Sequence, residues 1–190
     1  MELLQAIEGR RSCRDYITDA IDEEDILKIL EAAIWAPSPL NRQPWEFVVI
    51  IQQALKERIF EHAVETKEKV FQKSGWKWMQ HYDVSFLKSV PVIVAVLGDP
   101  SKTGAGVYLE SGSTSYQHAC AAAIQNMLLT AHSLGLGSLW FTLFETHAVR
   151  DLLGTAADKE PLALICIGRP AKQSAQTGRK GVNDKTSWVR

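Results

Sequence analysis

The densest chemistry in this chain lies in Arg10, Arg11, Ser12, Cys13 and Arg14, where three guanidinium groups, a thiol and a hydroxyl are consecutive. Arginine's planar fork donates two parallel charge-assisted hydrogen bonds, the usual side-chain answer to a phosphate. A second segment, Ala36-Pro37-Ser38-Pro39-Leu40-Asn41-Arg42-Gln43-Pro44-Trp45, is punctuated by proline and carries a hydroxyl and an amide. It leads directly into the apolar Phe47-Val48-Val49-Ile50-Ile51. A phosphate clamp and a rigid polar loop suit a flat, polar-edged, phosphorylated cofactor. The formal net charge is only −1, so this local basic cluster points to one small anion. No global field is present to recruit nucleic acid or an acidic membrane.

Other chemistries lack their signatures. Gly135-Leu136-Gly137-Ser138-Leu139-Trp140 has no third glycine of the dinucleotide fingerprint, and it leaves a predicted helix to enter a strand, the reverse of the required order. Lys102-Thr103 imitates the end of a Walker A loop, but Ser101 stands where glycine belongs and Gly98 is too close. No Gly-x-Ser-x-Gly elbow occurs. His62, His81, His118, His132 and His147 form no pair at metal-ligand spacing, so no metal is expected. Cys13, Cys120 and Cys166 are odd in number and far apart, which argues against a disulfide framework and a structural zinc site. Cys120 and Cys166 read as inert core residues. Cys13 is either a thiol activated by its arginine neighbours or a core residue. With no nucleophile or acid–base dyad, no catalytic side chain is expected. Cofactor chemistry needs none, because the bound group carries the reaction and the protein supplies position and electrostatics.

The elements that must position these groups follow from periodicity. At 190 residues, 46% hydrophobic and 23% charged, the chain reads as one soluble globular domain over 1–190. Its start is unlike a signal peptide, and the apolar run 90–97 is interrupted by Pro91 and too short for a bilayer, so a cytoplasmic, membrane-free protein is expected. Leu3, Leu4 and Ile7 mark a short opening helix ending near Gly9. Asp22 is the expected N-cap of a helix with Ile26, Ile29, Leu30, Ala33 and Ile34 on its apolar face, stopped by Pro37. Strands are predicted over 45–51, 90–97, 138–144 and 162–168. Helices are predicted over 54–71, 116–134 and 148–153. The second of these stretches carries the stripe Cys120, Ile124, Met127, Leu128, Ala131 and Leu134, with small Ala119, Ala121, Ala122 and Ala123 allowing close backbone approach. Residues 75–87 read as irregular, 98–112 as a loop, and the polar tail after Pro170 as an extension that wraps something else. The order gives an α+β fold, a mixed α/β sandwich of helices around one sheet, without strict strand–helix alternation.

The arginine cluster and proline loop together resemble the nitroreductase family of FMN-dependent oxidoreductases. The similarity continues through Ala121-Ala122-Ala123-Ile124-Gln125-Asn126-Met127-Leu128-Leu129-Thr130-Ala131, through Gly135 to Trp140, through Ile165-Cys166-Ile167-Gly168-Arg169-Pro170-Ala171, and to Arg179-Lys180 and Trp188. The resemblance implies a mostly antiparallel sheet flanked by helices, with the C-terminal extension wrapping a homodimer partner. It implies that Arg10, Arg11, Ser12 and Arg14 hold the FMN phosphate and ribityl chain and that Arg179 reaches the same phosphate. Pro37, Ser38, Pro39 and Asn41 would cover the flavin of the second subunit. The backbone of Trp140, Phe141, Thr142 and Leu143 would pass beside flavin N5 and O4, a donor there stabilising negative charge on the reduced ring. The family departs here at Thr142-Leu143-Phe144, where small or acidic residues are common, and Lys67, Lys69 and Lys73 match no phosphate contact. Three guanidinium groups suffice for one phosphate, not for the pyrophosphate and adenine of FAD. The implied activity is reduction of small planar, electron-poor acceptors such as nitroaromatics or quinones by NADH or NADPH, in alternating two-electron half-reactions. Flavin-dependent oxidation or dehalogenation of a specific metabolite, and cleavage of the flavin itself, are alternatives on the same fold. A non-catalytic flavin sensor or storage module is an alternative of another class. The aromatic segment holding Trp76 and Trp78 is either a lid over the flavin that sets substrate choice or packing for the core or partner.

Overall fold

All seven residues of β2 (Val92–Gly98) are buried, as expected for a strand covered on both faces. The structure, a computed structural model, describes residues 1–109, 112–172 and 174–190. Residues 110 and 111 of the predicted loop and residue 173 of the tail therefore lie outside the described residues. β2 pairs antiparallel with β1 (Trp45–Ile50) on one side and β4 (Glu160–Gly168) on the other, and β3 (Gly137–Phe141) pairs antiparallel with β4. The sheet order is β1-β2-β4-β3, so β1 and β3 are edges.

Strand alternation builds two cores from one run of residues. Val92, Val94 and Val96 face α2 (Glu23–Ile34) and α6 (Ser115–Ser133), packing among Ile29, Ala33, Ala123, Ile124 and Met127. Ile93 and Ala95 face the opposite layer of α3 (Gln53–Ser74), α5 (Phe86–Ser89) and α7 (Thr146–Leu153), among Ile59, Leu87, Phe141 and Val149. Each of the buried Val, Ile, Leu and Met side chains contributes about 1.5–3 kcal/mol. The α6 stripe is buried from Cys120 to Ala131 as its spacing predicts, while Leu134, just past the helix, is half-buried, and Asn126 ties α6 to α2 by donating to the Ala32 carbonyl at 3.0 Å. Asp22 occupies the N-cap of α2, although its side chain makes no capping bond. The backbone carbonyl of Asp22 accepts from Asp25 and Ile26 instead.

Two expectations need correction. Residues 75–87 are not irregular. They contain α4 (Lys77–His81) and α5, each too short to display a helical period. The strand predicted over 138–144 ends at Phe141, because the Phe144 amide turns back to the Thr142 carbonyl at 3.0 Å. In α1 (Leu3–Gly9) only Ala6 is buried, while the apolar Leu3, Leu4 and Ile7 remain exposed. The predicted 98–112 loop carries two 3-10 turns, Pro100–Lys102 and Gly104–Tyr108. Among the described residues no helix is long and apolar enough to cross a membrane.

Candidate cofactor-binding site

After α1 the chain turns extended at Arg10 and runs along the outer edge of β3, where Ser12 bridges Ser138 in parallel and the Cys13 amide donates to the Ser138 carbonyl at 2.9 Å. Glycine at position 137 permits this approach. A Cβ there would lie 2.7 Å from Cys13 Sγ, far inside contact distance. The buried Tyr16 hydroxyl donates to the Cys13 carbonyl at 2.6 Å and fixes the following turn. Tyr16 then bridges Pro170, flanked by Ile17 N–H to Arg169 O at 3.0 Å and Ala171 N–H to Asp15 O at 2.9 Å. These bonds deliver the start of the tail to the arginine segment.

The result is a cavity of about 870 Å³, lined by Arg10, Arg11, Ser12 and Arg14 from the segment and by Arg179, Thr177, Ser174 and Lys172 from the tail. Asp83, Ser85, Phe86 and Ser89 close the far wall. Neither carboxylate neutralises the arginines. Asp15 is paired with Lys172 at 2.7 Å. Asp83 accepts from the Ser85 amide and hydroxyl, each at 2.8 Å, and these bonds hold it below the usual carboxylate range. Among the described residues none of the four arginines forms an ion pair. Burial, followed by repulsion from Arg11 and Arg179, pushes Arg10 below its ordinary value. Arg11 leans on backbone, donating from Nη1 to the Glu8 and Arg10 carbonyls, and its buried Nε has no partner among the described residues. Arg179 donates to the Thr177 and Gly178 carbonyls and the Thr177 hydroxyl. Converging like charges, an orphaned guanidinium N–H and a rim of hydroxyls fit a phosphate monoester.

The remaining sequence-predicted residues divide. Because the Ser138 carbonyl faces outward, strand alternation turns the Trp140 backbone to the same edge, beside the arginine segment. The Phe141 side chain belongs to the core, edge-on to Phe86 at 5.9 Å, so only its backbone could meet a ligand. Thr142 and Leu143 continue into the turn before α7. Pro37, Ser38, Pro39 and Asn41 do not line the arginine cavity. They form a turn with Leu40, Asn41 and Gln43 at positive φ, braced by the Gln43 amide donating to Ser38 Oγ at 3.0 Å. Trp76 and Trp78 are not core: they are 54% and 56% exposed and stack on each other at 5.9 Å. Trp78 meets Tyr82 edge-on at 5.9 Å, and the Arg14 guanidinium lies 5.8 Å from the Tyr82 ring. An aromatic ladder therefore runs from solvent to the cavity.

Cys13 is buried, and burial raises its thiol, so the activated reading of this residue does not hold. Cys120 and Cys166 are fully buried, the first pushed up to about 12. Lys67 donates to the Tyr82 carbonyl at 3.2 Å and so supports the ladder. Sequence reasoning missed Asp83, Ser85, Ser89, Lys172 and Thr177. The Asp83-Val84-Ser85 spacing, an Asx turn opening α5, was the one available signal.

The chain is thus an antiparallel α+β sandwich with an arginine-lined cavity beside its edge strand β3. The sequence model described as the Nitroreductase family matches residues 7–169, and the chain belongs to that family of enzymes. A Methanothermobacter thermautotrophicus protein named "Putative NADH dehydrogenase/NAD(P)H nitroreductase" is 32% identical over 176 residues, spanning 90% of this chain and 79% of the relative. A crystal structure of "a putative nitroreductase in complex with fmn" from Desulfovibrio desulfuricans is 30% identical, with a TM-score of 0.75 over 100% of this chain and 98% of that one. A BluB-like flavoprotein from Clostridium difficile 630 superposes with a TM-score of 0.80 at 25% identity, covering 100% of both chains.

Proposed function

We propose that this nitroreductase-family enzyme binds FMN and uses NADH or NADPH to reduce small planar, electron-poor acceptors such as nitroaromatics or quinones. The observation that carries this reading is the cluster of Arg10, Arg11, Arg14 and Arg179 around one cavity, none of them ion-paired to a carboxylate among the described residues. When bound, the isoalloxazine supplies a centre that takes two electrons from the nicotinamide in one half-reaction and gives them up in the next. Arg10, Arg11, Arg14 and Arg179 hold the phosphate dianion, and the Ser12 hydroxyl meets the phosphate or ribityl oxygens. Guanidinium groups stay charged throughout turnover, so the anchor does not move with the redox state. The outward backbone of Trp140 lies on the same edge and, with the backbone of Phe141, Thr142 and Leu143 that follows it, would pass the reduced ring, where an outward N–H stabilises its negative charge. Trp76 and Trp78 wall the open face, where flat acceptors stack and water is excluded. Protons needed by the acceptor come from solvent.

The working unit in this proposal is a homodimer. Leu3, Leu4, Ile7, Ile34, Leu40 and Trp35 (85% exposed) leave more apolar surface uncovered than a monomer tolerates. Pro37, Ser38, Pro39 and Asn41 lie in this region and would cover the flavin of the second subunit, and the exposed tail beyond residue 180 would wrap it. Rapid mixing of FMN-loaded protein with NADH and with NADPH tests the activity. Fast bleaching of the flavin absorbance by either one, restored by a quinone, supports the proposal. Absence of bleaching by both refutes it.

A further inference from the structure

One long-range bond fixes the chain immediately after the candidate flavin-facing backbone. The Glu145 amide, which opens α7, donates to Nε2 of His62 on α3 at 3.0 Å. The buried Thr66 hydroxyl lies 3.3 Å from the same nitrogen. A backbone N–H can only donate, so Nε2 must present its lone pair and the ring must be neutral, with its proton on Nδ1. The turn bounded by this bond is short: the Phe144 amide closes on the Thr142 carbonyl at 3.0 Å, and β3 ends at Phe141.

We propose that His62 is a positioning residue that pins the Thr142–Leu143–Phe144 turn to α3, and that protonating the imidazole releases this turn. The proposal rests on the assignment of residues 140–143 as flavin-facing backbone and adds a residue outside the cavity that governs them. Protonation places an N–H against the Glu145 N–H, so the bond is lost and the two donors repel. The charged groups facing the ring are Arg58, Glu61, Glu65 and Lys69 on α3, with Glu145, His147 and Asp151 from the turn and α7. Burial is the largest influence and lowers the ring below its ordinary value, with Lys69 and His147 acting in the same direction and Glu65 and Glu145 opposing. The anchor is therefore complete above the ordinary histidine range of about 6.5 and is lost as pH falls through the lower folded value.

Two readouts test this in wild type, His62→Gln and His62→Leu. The first is hydrogen exchange of the Glu145 amide by NMR in flavin-free protein. We expect protection at pH 7.5 that fades on acidification in wild type, persists at low pH in H62Q, whose amide oxygen still accepts, and is reduced about five- to tenfold in H62L. The second is visible circular dichroism of bound FMN, which should follow the same acid transition in wild type, lose it in H62Q, and match the acid form at pH 7.5 in H62L. An unprotected Glu145 amide, or an H62Q protein that keeps the wild-type transition, overturns the proposal. An intact amide titration with an unresponsive flavin spectrum overturns the link to the flavin. Protein that takes up no FMN overturns the cofactor assignment, and with it this link, while the amide exchange still decides the anchor itself.

Discussion

Replacing Arg10 with alanine should weaken cofactor binding while leaving the flavin-free protein as stable as before, or more so. The opposite signs follow from the structure. Without an anion, Arg10 is partly desolvated and repelled by Arg11 and Arg179, with no carboxylate to repay it. Removing the guanidinium deletes that repulsion. Because Arg10 shows no ion pair among the described residues, the folded state loses no salt bridge. With phosphate in place, the same group supplies hydrogen bonds to a charged partner, worth about 1.5–3 kcal/mol, or roughly a 10- to 150-fold rise in Kd. Arg179 is exposed and already donates to Thr177 and Gly178, so its replacement should cost less and vary more with salt. Fluorescence titration of flavin-free protein with FMN and thermal denaturation of the same sample provide both numbers. An R10A protein that melts several degrees lower without FMN, yet binds it as tightly as wild type, would show that Arg10 serves the fold and not the anion.

The other expectations are narrower. Alanine at both Trp76 and Trp78 should raise KM for aromatic acceptors about 2- to 12-fold per lost stacking contact, at unchanged FMN content. Loss of flavin or of fold would make the pair structural. Glutamate at Trp35 should convert a dimer in sedimentation into a monomer that sheds FMN, and a dimer that persists would place the interface elsewhere. Asp99 is held down to about 2 by Ser101 first and by Lys159 at 2.9 Å. Its folded value lies below the unfolded one, so its contribution to stability is complete above about pH 4 and is lost between pH 4 and 2. The stability gap between wild type and D99N in urea should therefore close over that window, and a gap independent of pH would contradict the assignment.

How far the sequence revealed the site depends on how local each signal is. The α6 stripe and the β-branched run of β2 were legible because burial on a regular element leaves a period or an unbroken apolar run. The arginine segment was legible because its residues are adjacent. That Arg179 shares its cavity is a tertiary fact, created by the Tyr16–Pro170 bridge and the Ile17 and Ala171 hydrogen bonds, and no spacing encodes it. The α4 and α5 helices are each about one turn long, so their apolar residues looked like an irregular cluster. Cys13 shows the limit of neighbour arguments. Flanking arginines suggested activation, but the side chain turns inward against Gly137, where burial dominates. The His62–Glu145 bond joins positions 83 residues apart, and only the structure brings them together.

Under the proposal made above, the arginine cavity holds FMN, and the chromophore released from the protein decides it. Freshly purified protein, or flavin-free protein incubated with FMN and then desalted, should be denatured and the released chromophore separated by chromatography against FMN, FAD and riboflavin standards. FMN alone is expected, at up to one per chain, with most of it lost in the R10A variant. Release of FAD, or colourless protein that retains no FMN after incubation, would contradict it.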